Sequence, residues 1–83
     1  MKSIQQPIRI KLSSIQEVKS FVNIMEQFQG NFDLAHGRYL VDAKSVMGIF
    51  SMDLSKELEL RILETEEAEE KILEALQPYI VSC

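Results

Sequence analysis

Few side chains in this sequence can do chemistry, and most of those have a quieter explanation. There is one histidine, His36, and one cysteine, Cys83. They stand far apart, and no Cys/His spacing suited to a metal exists. Neither a glycine-rich phosphate loop nor a nucleophile elbow is present, so no metal or cofactor is implied. His36 falls in His36-Gly37-Arg38, between two alternating runs, and reads as a solvated turn residue. Cys83 has no partner for an internal disulfide and reads as an exposed thiol in a reducing, cytoplasmic setting. Glu66, Glu67, Glu69 and Glu70 form an acidic run at the start of the last helical segment. Carboxylates there favour the positive end of the helix dipole, so a solvated helix face explains them better than a metal site. Two serines remain. Ser14 and Ser45 each stand directly before a run of helical periodicity, where a hydroxyl accepts a bond from an otherwise unpaired backbone N–H. A helix start is also favourable ground for an anion, so phosphate on either serine carries little electrostatic cost.

The elements around these serines follow from periodicity. Pro7 to Leu12 alternates, with Ile8, Ile10 and Leu12 on one face and Arg9 and Lys11 on the other, as in a half-buried strand. Ser14-Ile15-Gln16-Glu17 fits a capping box. Val18, Phe21, Val22, Met25 and Phe28 then mark the apolar stripe of a helix of about four turns, and Gly30 stands where a C-cap glycine belongs. Asn31–Ala35 and Tyr39–Asp42 flank the Gly37 turn as a hairpin. A short helix follows Ser45, and Asp53–Lys56 connects it to the next strand. Glu57–Ile62 alternates cleanly, with Leu58, Leu60 and Ile62 on one side. Thr65 reads as the N-cap of the last helix, whose apolar face is Ala68, Ile72, Ala75, Leu76 and Tyr79. Pro78 stands near its end, followed by Ile80-Val81.

The order is β-α-β-β-α-β-α. It predicts one α+β domain over residues 1–83, with a four-stranded antiparallel sheet covered by helices on one face. A ferredoxin-like fold with an extra helix fits the same periodicity. Eighty-three residues, 46% of them hydrophobic, suffice for one modest core. A chain of this length buries roughly 60–65% of its unfolded surface. The net charge of −4 excludes the basic patch expected of a nucleic-acid binder. No apolar run approaches the ~20 residues of a membrane span, and residues 1–7 lack a hydrophobic signal core. An acidic, cytoplasmic protein that meets other proteins is the class that remains.

One stretch is unusual. Val46, Met47, Ile49, Phe50 and Met52 crowd five large apolar residues into seven positions, with Gly48 among them. That is more than a single buried stripe needs, so part of it faces solvent or a partner.

Lys44-Ser45-Val46-Met47-Gly48-Ile49-Phe50-Ser51-Met52 resembles the segment around the regulatory serine of HPr, the small phosphocarrier of the bacterial sugar phosphotransferase system. The family pattern is Lys-Ser-(Ile/Val)-Met-Gly-x-(Met/Leu)-x-(Leu/Met). The resemblance spans nearly the whole chain without gaps, and it implies the family's open-faced β-sandwich. It departs from the family at the active site. HPr proteins carry a phosphate-accepting histidine in Gly-x-His-Ala-Arg-Pro. Counting back from Ser45 puts Ser14 at the histidine position and Gln16 at that of the arginine, while Glu17 replaces the proline and the preceding glycine is missing. A serine hydroxyl is far less nucleophilic than imidazole without a base beside it.

The resemblance therefore implies no catalytic residue here and no histidine phosphotransfer. It implies instead a regulatory or adaptor protein, similar to the catabolite-repression HPr, with Ser45 as its phosphorylation site. HPr kinase or a transcription regulator are the implied partners, with Lys44, Met47 and Phe50 as contacts. Transfer through an unusual acceptor such as Ser14 and a pure protein-binding module are the alternatives. Asp53 stands where the family usually has glycine, just after the short helix.

Overall fold

The structure is a computed structural model that describes residues 8–81. The expected reading of residues 1–7 and the exposed thiol of Cys83 fall outside that range. The elements are β1 (Ile8–Ile10), α1 (Ile15–Met25), β2 (Gly30–His36), β3 (Tyr39–Asp42), α2 (Val46–Phe50), β4 (Leu58–Thr65) and α3 (Glu69–Ala75), followed by one 3-10 turn, Gln77–Tyr79. The strands form one antiparallel sheet in the order β1-β4-β2-β3. The fourth strand fills the gap between β1 and β2. That is the open-faced sandwich rather than the ferredoxin-like alternative.

Alternation decides which face is buried. Ile10, Phe32, Leu34, Leu58 and Leu60 turn inward from the strands and, with Leu12 just past β1, meet Val18, Phe21, Val22 and Met25 of α1, Ile49 of α2, Ile72 of α3 and Leu76 at its C-cap. Each fully buried side chain of this size contributes about 1.5–3 kcal/mol relative to exposure. The Phe21 and Tyr79 rings meet edge to face at 6.4 Å, which seats the C-terminal turn on α1. That turn continues along the free side of β1. The Lys11 N–H donates to Tyr79 O and the Val81 N–H to Arg9 O, both at 2.9 Å.

Four local expectations are corrected. Helix α1 ends at Met25 with Glu26 as its cap, so it is shorter than four turns and Phe28 is only half-buried beyond it. Gly30 is not a C-cap. It opens β2 at φ 137°, and a Cβ there would meet Glu64 O and lie 2.8 Å from the Thr65 Cβ. Only glycine fits that conformation and that approach. Thr65 is not a helix cap either, because pairing between Gly30 and Thr65 holds it in β4. Its hydroxyl donates to Gln29 O at 2.6 Å and accepts from the Glu67 N–H at 3.0 Å. The last helix starts later, at an Ala68 cap with no side-chain bond, and Glu69 and Glu70 occupy its first turn. Ala68, expected on the apolar face, is exposed.

Candidate functional site

Both serines cap their helices. The Ser14 backbone is extended, and its Oγ accepts from the Glu17 N–H at 3.1 Å. The Glu17 carboxylate folds back onto the Ser13 N–H at 2.7 Å, one residue earlier than a standard capping box would place it. A carboxylate and a hydroxyl therefore already occupy the acceptor positions at the start of α1.

Ser45 is arranged differently. Its Oγ accepts from the Gly48 N–H at 3.1 Å, and its own N–H donates to Asp42 O at 3.0 Å. No acidic side chain lies in the first turn of α2. Asp42 Oδ1 accepts from the Lys44 N–H at 2.8 Å, a turn that swings the chain off β3 into the cap. Gly48 packs closely against its neighbours. A Cβ there would lie 3.1 Å from Ser45 Oγ and 3.2 Å from the Val41 Cβ, tighter than normal contact. The short helix thus lies close against the end of β3 because this position has no side chain.

The crowded apolar stretch splits as its composition requires. Ile49 and Met52 are buried, and Val46 and Phe50 are half-buried against the core. Met47 projects outward with 77% of its surface exposed. On α1, Ile15 is also exposed, and Lys19, Ser20, Val22, Asn23, Glu26 and Val46 line a shallow groove between the two helices.

Residues 15–82 match the PTS-HPr family, described as the PTS HPr component phosphorylation site. The chain belongs to the HPr family. Neither the curated proteins nor the solved structures returned a match. The protein is thus of the phosphocarrier type of the phosphotransferase system, and HPr proteins work through contacts with other proteins of that system. The matched span begins at Ile15, directly after Ser14.

The expected HPr site residues fall into two groups. Ser45, Met47 and Phe50 lie together on α2 and its cap. Lys44 adjoins them in sequence but sends its side chain elsewhere. Its ammonium donates to Phe28 O at 2.8 Å and Gly30 O at 3.4 Å, and it lies 5.3 Å from the centre of the Phe32 ring. The ammonium thus caps carbonyls left open where α1 gives way to β2. Nothing in the local sequence signals this, since Phe28 is sixteen residues upstream. Ser14 and Gln16 are exposed on the first turn of α1. His36 ends β2 opposite Tyr39, on a different element from either serine. Exposure of Ile15 was equally hidden, because it stands three residues before Val18 on the same stripe. Among the described residues, no cluster of three or more His, Cys, Asp or Glu side chains is placed to hold a metal, and no helix is long and apolar enough to cross a membrane.

Proposed function

We propose that this HPr-family protein acts through regulated protein contacts at α2 rather than by histidine phosphotransfer, with Ser45 as the phosphate acceptor. The observation that carries this reading is the pairing of a serine cap whose helix has no acidic side chain in its first turn with the outward-facing Met47. In the phosphorylation step, Ser45 Oγ bonds to the γ-phosphorus of ATP, the bond to the β-phosphate oxygen breaks, ADP leaves and the hydroxyl proton is released. The added phosphate brings about −1.5 to −2 charges and strong acceptors beside the Gly48 N–H. Met47 and the exposed part of Phe50 then form an apolar contact next to that charge, with methionine supplying adaptable packing. An HPr kinase and a transcription regulator of catabolite repression are the partners the family suggests.

Ser14 is a poor carrier by the same reasoning. Among the described residues its hydroxyl is hydrogen-bonded to no base, and the Glu17 carboxylate sits three residues away at the same helix start. A phosphoryl group there would meet like charge. The competing reading is a binding module without phosphorylation. It is favoured by the cap bond to Gly48, which alone gives the Ser45 hydroxyl a structural role.

Two incubations separate these readings by intact mass. Phosphate gained from ATP and an HPr kinase, and lost in Ser45→Ala, is the expected result. Phosphate gained from phosphoenolpyruvate and Enzyme I would overturn the absence of phosphotransfer. No gain in either tube, with Met47→Ala still weakening a captured partner, would leave the binding module.

A further inference from the structure

The two edges of the sheet are finished differently. Beyond β1, the Tyr79–Val81 segment supplies backbone partners, including a bridge between Ile10 and Ile80. Beyond β3, no described residue pairs with the strand. Its free groups follow from the hairpin. Gly37, at φ 60°, and Arg38 form a two-residue turn, so the closing pair His36–Tyr39 is hydrogen-bonded and the bonding alternates from there. The Ala43 N–H donating to Phe32 O continues that alternation. Leu40 and Asp42 therefore turn their backbone groups away from β2. The Asp42 carbonyl is taken by the Ser45 N–H. The N–H and C=O of Leu40 and the N–H of Asp42 remain. This edge is short and carries one charge, Asp42, but Tyr39–Asp42 contains no proline, no lysine and no bulge. Tyr39 is 65% exposed and Leu40 56%.

We propose that β3 pairs antiparallel with β3 of a second copy of this chain, about a two-fold axis through Leu40. The charge pattern of the strand selects that occupant. Arg38, the second turn residue, and Asp42, on Leu40's face of the sheet, lie two positions either side of Leu40. The two-fold therefore sets each Arg38 opposite the partner's Asp42, so the edge is complementary to itself. Within one chain Asp33 faces Asp42 across the hairpin, a like-charge pair that disfavours the sheet. Among the described residues the ion pairs are Arg9–Glu57 and Arg61–Glu59, and Arg38 and Asp42 take part in neither. The second copy brings a guanidinium to this acidic pair at each end. Leu40 N–H and C=O bond reciprocally with the partner's Leu40, and each Asp42 N–H donates to the carbonyl of the partner's Arg38. The two open faces then join in one continuous sheet. This inference rests on β3 alone and is independent of phosphate on Ser45.

A contact of one short strand is at the small end of specific interfaces, so association is weak and depends on concentration. Sedimentation equilibrium of the full chain across a concentration series tests it. The wild-type mass is expected to rise from one chain toward two. Arg38→Glu and Asp42→Arg are each expected to stay monomeric. Their equimolar mixture is expected to associate, because both ends then pair opposite charges. Leu40→Pro removes the central donor at an edge position that tolerates proline, and it is expected to be monomeric with an unchanged far-UV spectrum. Should Asp42→Arg fail to fold, Arg38→Glu and Leu40→Pro still decide the matter. A wild type monomeric at every concentration, an Arg38→Glu that associates as well as wild type, or a folded pair of charge variants that do not associate would each overturn the proposal.

Discussion

The starts of α1 and α2 share one local signal, a serine before a helical run, and the fold makes different sites of them. At α1, Ser14 and Glu17 together close the helix start with protein acceptors. At α2, the carboxylate on the N–H before the cap comes from Asp42 of β3 and not from the helix, the Lys44 ammonium is turned inward to hold Phe28 O and Gly30 O, and an apolar side chain stands beside the cap in solvent. A cap motif therefore does not identify a functional serine. The surroundings that sequence neighbours do not control decide whether the hydroxyl is merely structural or also open to modification.

The comparison can be broken most sharply by chemistry. Ser45→Ala is expected to remove all phosphate transferred from ATP by an HPr kinase, while Ser14→Ala retains it, as read by intact mass. Phosphate that persists in Ser45→Ala would reverse the two roles. Lys44→Met is the next largest. It leaves an apolar stem over Phe32 but takes the donor from two carbonyls, and it is expected to cost about 1–3 kcal/mol in urea unfolding. A loss near zero would mean that water replaces the ammonium there without cost.

Removing the caps sharpens the contrast further. Ser45→Ala is expected to cost about 1 kcal/mol, with faster amide exchange confined to α2. Ser14→Ala is expected to cost less, because its cap bond is exposed and water can replace it, whereas the Ser45 bond is partly buried. Equal single losses would show that burial of the cap contributes nothing.

The smallest effect lies just beyond α2. The Asp53 carboxylate accepts from the Ser55 hydroxyl at 2.6 Å and the Ser55 N–H at 3.0 Å. These bonds, the hydroxyl first, hold its pKa below the ordinary value of 3.8. Because the folded value is the lower one, the stabilisation is present above the ordinary value and lost as pH falls through it to the lowered one. Asp53 is fully exposed, so the effect is slight. Asp53→Asn is expected to flatten the stability profile in that acid range by lowering stability slightly at neutral pH.

Much of the molecule is set within four residues of itself. The alternation of β1 to β4, the Gly37 turn and the two serine caps need only neighbouring side chains and backbone, so the sequence alone determines them. So does the surplus of apolar residues around Gly48, which predicted that something on α2 must face outward. Which residue does so was decided by packing: Ile49 and Met52 reach the core and Met47 does not. Pairing across distant segments decided the remainder. Gly30 reads as a helix end until Glu64 and Thr65 are brought against it. Thr65 reads as a helix start until β2 holds it in the sheet and Gln29 takes its hydroxyl. Lys44 reads as a free cation beside Ser45 until the turn after α1 offers it two carbonyls. Each of these misreadings has one cause. A backbone group or side chain takes whichever partner the strand order places within hydrogen-bond reach, and that order is a property of the whole chain rather than of any window along it.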